Sequence, residues 1–178
     1  TPITPQTNLN NLSNSIDKLA PIYKTIQLCK SELPQTKDLI GFAGAPFTVA
    51  SYMCEGGSSK DLKTTKHIMY TNPDFFHLLL DKITDVTIEY LYQQVKAGVD
   101  ALQLFDTWIS HLDWDSCQEF SAVYIKKIVH KLRKLGVNVP ITFFGKTTSL
   151  FYPLYETTGV NIISFDWGAN LEMIDNKN

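Results

Sequence analysis

Residues 95–108 read VKAGVDALQLFDTW: the tail of a helical pattern closed by Gly98, an apolar run, then Asp106, Thr107 and Trp108. A glycine just past a helical pattern stops the helix, and a short apolar run after it predicts a parallel strand buried on both faces. The unit recurs on either side. DLIGFAG at 38–44 is an earlier strand of the same kind. VPITFFG at 139–145 follows a helical pattern over about 115–135 stopped by Gly136, and VNIISFDW at 160–167 follows one over about 150–157 stopped by Gly159. Asn72 and Pro73 mark the start of the long helix that ends at Gly98, Asn as cap and Pro in the first turn. Ahead of the first strand, Leu9, Leu12, Ile16, Leu19, Ile22, Tyr23 and Ile26 recur three or four apart, which predicts one buried face of an amphipathic helix over 9–28, kinked or divided at Pro21.

Four apolar strands alternating with helices describe an α/β protein with a parallel sheet, and both a barrel and an open doubly wound sheet produce that pattern. Neither GxGxxG nor GxxxxGK[ST] follows any of these strands, which counts against a nucleotide-binding open sheet. The expected fold is therefore a partial (β/α)8 TIM barrel. Complete barrels take about 250 residues. The 178 residues here are read as a single incomplete barrel domain, residues 1–178, with about four of its strands.

Composition narrows the function. At 44% hydrophobic and 19% charged residues the chain is an ordinary globular one, and a net charge of −2 without like-charge runs disfavours nucleic acid or a membrane surface as generic partners. Cys29, Cys54 and Cys117 are odd in number and widely spaced, with no CxxC and no His at metal-ligand spacing, so a reduced, cytoplasmic chain without a metal site is expected. No apolar stretch reaches membrane-spanning length and no signal segment opens the sequence. Of sixteen basic residues only Arg133 is an arginine, a poor supply for gripping several carboxylates.

In a barrel, chemistry sits at the carboxyl ends of the strands. That rule selects Ser51 and Tyr52, in a small-residue stretch over 41–61 read as a loop, then Asp106 and Thr107, Lys146, and Asp166. Each also has a plainer reading: Tyr52 as a half-buried aromatic, Asp106 and Asp166 as caps of the helices that follow, Lys146 as a solvated side chain. His67, His77, His111 and His130 are scattered and read as structural, and Tyr70, Phe75 and Phe76 as packing a helix on the barrel.

Three stretches carry a resemblance. GFAGAPFTVASYMCEGGSSKD at 41–61 is similar to the signature of the uroporphyrinogen decarboxylase family, KAGVDALQLFDTWISHL at 96–112 resembles a second family segment, and FFGKTTSLFYPLYETTGVNIISFDW at 143–167 resembles a third, in the family's order. The resemblance implies a carboxy-lyase of haem and porphyrin biosynthesis that needs no cofactor and removes CO₂ from the four acetate arms of uroporphyrinogen III, giving coproporphyrinogen III. It implies a cytoplasmic homodimer. It maps Tyr52 onto the tyrosine beside the reacting arm, Thr107 onto a hydroxyl that meets a substrate carboxylate, and Phe42 and Phe105 onto cleft positions that face the pyrroles. Asp106 is read with the substrate-binding set, positioning the strand end. Tyr52 and Thr107 are expected to face one cavity shaped for a tetrapyrrole. The family's amino-terminal RQAGR and FSDI segments and its carboxyl-terminal glycine-flanked histidine have no counterpart in these residues, so the chain is read as a central portion, inactive alone. Two other readings stand beside it: a zinc- and corrinoid-linked methyltransferase of the same superfamily, which needs a His and two Cys and finds no His-x-Cys here, and a non-catalytic module acting by association.

Overall fold

A computed structural model of the chain describes residues 1–12 and 16–172. Its elements are α1 (Ala20–Glu32), β1 (Ile40–Gly44), α2 (Pro46–Glu55), α3 (Lys63–Thr71), α4 (Pro73–Ala97), β2 (Ala101–Asp106), α5 (Trp114–Cys117), α6 (Val123–Lys134), β3 (Ile141–Gly145), α7 (Thr148–Glu156) and β4 (Ile162–Ser164). A 3-10 turn, Thr107–His111, follows β2, and a π turn, Gln118–Ala122, joins α5 to α6. The four strands are all parallel and lie in the order β1-β2-β3-β4, as expected of half a (β/α)8 barrel. Gly98 stops α4 as read from the sequence: its φ of 110° is open to glycine at little cost, and its amide closes on Gln94 O and Val95 O.

The register separates the two faces of the sheet. Ala43, Leu104 and Phe143 stand in one row, with Leu102 and Ile141 beside them, all buried beneath the helices. α4 lies along β1 and β2, with α2 and α6 against it, and Phe47, Phe76, Leu79, Leu80 and Leu91 fill the layer between. The other face carries the rows Phe42, Gln103, Thr142, Ile162 and Gly44, Phe105, Phe144, Ser164, and it is open. Ile40, Phe42 and Ile162 are each more than half exposed, at 56%, 59% and 51%. The strands are thus not buried on both faces as expected, because helices cover one side only. In a barrel the other side is filled by strands across the axis.

Four local readings are corrected. Residues 46–55 are helix α2, not loop; Pro46 opens it and Gly56, at φ 76°, closes it with its amide on Tyr52 O. The helix expected over 9–28 is a 3-10 turn at Leu9–Asn11, another at Ile16–Leu19, and α1 from Ala20, with Pro21 in its first turn, so the chain divides there. α1 buries no residue. It leans on α4 through Tyr23 and Tyr90, ring centres 6.1 Å apart, and is fastened by Lys30, whose ammonium lies 2.5 and 2.6 Å from the Asp100 carboxylate. Asn72 sits at the cap position of α4, but its side chain donates to Thr71 Oγ1 instead of capping. Of the expected aromatic cluster Phe76 is buried and Phe75 packs against the core, while Tyr70 is 62% exposed.

The outer edge of β1 is closed by a side chain. Gln94 of α4, 2% exposed, accepts the Phe42 N–H and donates to the Phe42 carbonyl, both at 3.0 Å, taking the place of a neighbouring strand. Gly41 is required beside it, since a Cβ there would stand 2.6 Å from Gln94 Oε1. Replacing Gln94 with Ala should lower the unfolding free energy by about 2 kcal/mol in urea denaturation, the cost of two lost hydrogen bonds and a partly filled gap. An unchanged midpoint would show that water closes this edge equally well.

Candidate active site

The site is built around the end of β2. Asp106, its last residue, is fully buried. Its Oδ1 accepts the Thr48 N–H at 3.1 Å and the Thr48 hydroxyl at 2.6 Å, and its Oδ2 accepts the Ser121 hydroxyl at 2.5 Å. Thr48 is the third residue of α2, where the backbone N–H has no partner within the helix. Asp106 therefore caps α2 from the neighbouring strand, and the expected capping of the turn that follows it is not made. The Thr48 hydroxyl in turn accepts the Trp108 N–H at 3.2 Å. Behind the carboxylate, Ser121 meets the Tyr155 hydroxyl at 2.8 Å, and Tyr155 lies 3.2 Å from Cys117 Sγ. Burial in this closed cluster outweighs the donors and pushes Asp106 up to about 6; it also raises Tyr155 and pushes the Cys117 thiol up to about 12.

Around this centre the structure places the other candidates unequally. Tyr52, near the end of α2, is 44% exposed; its ring meets Trp108 edge-on at 5.8 Å, next to Thr107. Neither the Tyr52 nor the Thr107 hydroxyl has a hydrogen-bond partner among the described residues. Phe42 and Phe105 lie on the open face of the sheet, 6.0 Å apart and edge to face, and Phe105 repeats that contact with Phe144 at 5.9 Å. Three rings thus form a row leading across β1, β2 and β3. A cavity of about 690 Å³ is lined by none of these residues: it lies under the Val49 and Met53 side of α2, with Gly44, Ile83 and Tyr90 in its wall. Tyr52 and Thr107 consequently do not share it.

Ser51 is buried and donates to Phe47 O at 2.8 Å within α2, which spends its hydroxyl locally. Asp166 caps no helix of its own. It accepts the Thr147 N–H at 2.7 Å and the Gly168 N–H at 3.1 Å, which pins the start of α7 to the end of β4. Lys146 is exposed as its plainer reading has it. Sequence reasoning left Thr48, Trp108 and Ser121 out of the site and read His111 as structural. The His111 ring lies tilted against Trp108, centres 5.4 Å apart, and its pKa is lowered by burial first and then by the positive charge of Lys66 and Lys146, against Asp61. The mouth thus has two lysines near it. Thr48 could have been found from Pro46, a helix-opening residue that puts Thr48 in the first turn; nothing in the sequence announces the π turn that carries Ser121. Among the described residues no group of three or more His, Cys, Asp or Glu side chains is placed to hold a metal.

Comparison with known proteins gives a consistent answer. The family model described as "Uroporphyrinogen decarboxylase (URO-D)" matches residues 1–177. A uroporphyrinogen decarboxylase of Campylobacter concisus is 38% identical over 168 residues, 94% of this chain and 49% of its own length. One from Aliarcobacter butzleri is 36% identical over 180 residues, 99% of this chain and 52% of its own. The chain spans about half the length of the curated relatives it matches. Among solved structures, a methyltransferase from Methanosarcina mazei superposes with a TM-score of 0.66 over 89% of this chain and 53% of that one; at 14% identity the likeness is one of fold alone.

The buried carboxyl makes a prediction with a definite sign. A carboxyl at about 6 in the fold and ~3.9 unfolded contributes stability that is fully present below about pH 4 and lost as pH rises through about 6. Measured against an Asp106→Asn variant by chemical denaturation, the native chain should lose about 2 kcal/mol of relative stability between pH 4 and pH 7. A difference that stays flat across this range would mean that the carboxylate ionises at no cost.

Proposed function

We infer the function from one premise: this chain belongs to the uroporphyrinogen decarboxylase family, whose model its residues match from 1 to 177. That match is the observation that carries the reading. The complete protein is a carboxy-lyase that removes CO₂ from the four acetate arms of uroporphyrinogen III to give coproporphyrinogen III, without a cofactor. Loss of CO₂ from an acetate leaves an electron pair that needs a sink, and a protonated pyrrole supplies one. The protein has then to deliver protons, hold the macrocycle and steady the charge.

The chain's own residues suit those tasks. Tyr52 offers an unengaged hydroxyl on a ring held by Trp108, the arrangement wanted of a group that meets the reacting arm. Thr107 offers a second hydroxyl, for a substrate carboxylate. Phe42 and Phe105 provide flat apolar surface for pyrrole faces on the open side of the sheet. Asp106 is spent on protein donors and serves this site from behind. Lys66 and Lys146 lend the mouth positive potential toward a polycarboxylate.

Residues 1–178 form one incomplete barrel domain in this reading, because the sheet face that a barrel keeps inside is open here. The protein is a cytoplasmic homodimer that acts on a small molecule and engages neither nucleic acid nor membrane; no described helix is long and apolar enough to cross a bilayer. In a protein extended to the full length of its relatives, Tyr52→Phe should lower kcat for coproporphyrinogen formation about 10²-fold with little change in KM. Thr107→Val should chiefly raise KM. Residues 1–178 alone should show no turnover in the same assay. Full activity of the Tyr52→Phe enzyme would remove Tyr52 from the chemistry, and turnover by residues 1–178 would overturn the reading of an incomplete barrel.

A further inference from the structure

The Asp106 cluster joins three elements that the sequence keeps far apart. One carboxylate receives donors from α2 and from the π turn, 58 and 15 residues distant along the chain. Its partner Thr48 uses one hydroxyl twice, donating to Asp106 and accepting the N–H of Trp108. α2 carries Tyr52, and the turn after β2 carries Thr107 and Trp108. The indole N–H of Trp108 is buried without a partner, so no hydrogen bond at the ring fixes its direction. Trp108 is held by its backbone bond to Thr48, by ring contacts with Tyr52 and His111 and by packing on the core.

We propose that Asp106 is a positioning residue: through Thr48 it locks the first turn of α2 to the turn after β2, and so fixes Tyr52, Trp108 and Thr107 in one mutual arrangement. The proposal rests on the reading that Tyr52 and Thr107 face substrate, and it adds the device that sets their spacing. The geometry explains why the carboxylate is shielded. A group that touched substrate would need to reach the mouth, whereas Asp106 is fully buried with each oxygen engaged by a protein donor. The π turn has a role in the same device, since the extra residue of a π turn redirects side chains and here Ser121 is delivered to Oδ2. The groups facing Asp106 are Thr48 from α2, Ser121 from the π turn, Tyr155 from α7 and Cys117 from α5, none of them a cation.

The test follows the Trp108 indole ¹H–¹⁵N signal of the 178-residue chain, identified as the one lost in Trp108→Phe, across pH 4.5 to 8. Because the His111 ring lies 5.4 Å from Trp108 and is a second titratable group beside this probe, every variant carries His111→Gln, and in that background the signal should titrate with a midpoint near 6. Thr48→Val keeps the shape and removes the hydroxyl; it should move the signal and abolish the titration, while Thr48→Ser should restore both. Ser121→Ala removes a donor that favours the anion and should shift the midpoint upward. The proposal is overturned if Thr48→Val leaves signal and titration native, or if Thr48→Ser disturbs them as much as Thr48→Val does, which would reduce Thr48 to a packing residue. These outcomes are independent of catalysis: an unimpaired Tyr52→Phe enzyme would sink the functional reading and leave the lock standing.

Discussion

A parallel sheet needs cover on both faces, and here helices supply it on one. That constraint governs the rest of the molecule. The helix-facing rows, from Ala43 to Phe143, build a dense core with α4 at its centre. The opposite rows expose Ile40, Phe42 and Ile162 to solvent, at roughly 25 cal/mol for each Å² of apolar surface that further burial would gain. Gln94 treats the outer edge of β1 in a related way, supplying by side chain the hydrogen bonds that a neighbouring strand would make. The inner face of the sheet is thus left open to further burial, while its edge at β1 is closed by a side chain.

Much of this is legible in residues. Gly98, Gly136 and Gly159 stop helices where the sequence places them, all at positive φ. The four apolar runs are strands, though shorter than the runs, because β4 ends at Ser164 and leaves Phe165 to Trp167 outside the sheet. The failures have physical causes. α2 reads as a loop because Thr48, Val49 and Ser51 lower intrinsic helicity; burial of Phe47, Ala50 and Cys54 overrides that preference. α1 shows the converse error. Its periodicity is genuine, but periodicity reports only that a face could be buried, and of that face only Tyr23 and Ile26 find cover in these residues.

The candidate site is harder to read, and two aspartates show why. FDTW and FDWG both close an apolar run with Phe-Asp, and both aspartates invite the same reading as helix caps. Asp106 is sealed from water and caps a helix that begins 60 residues earlier; Asp166 is half-buried and holds a loop amide. Sequence fixes what a carboxylate can accept. Which donors reach it depends on tertiary placement, in this case on α2 and on a π turn that no local pattern announces.

Charge completes the picture of the mouth. Arg133, the sole arginine, donates to the carbonyls of Val137 and Val139 and to Asn161 Oδ1, fastening the connection before β3 to the one before β4. Its planar fork is therefore committed to the backbone at the amino ends of the strands, far from the carboxyl ends where Tyr52 and Thr107 stand. On the function proposed above, a polycarboxylate would meet lysine point charges and hydroxyls in these residues. Such groups attract an anion without fixing its orientation, because an ammonium lacks the paired donors that align a carboxylate. On that reading, orientation in this half of the site comes from shape: the ring row of Phe42, Phe105 and Phe144, with Tyr52 and Thr107 as proposed above.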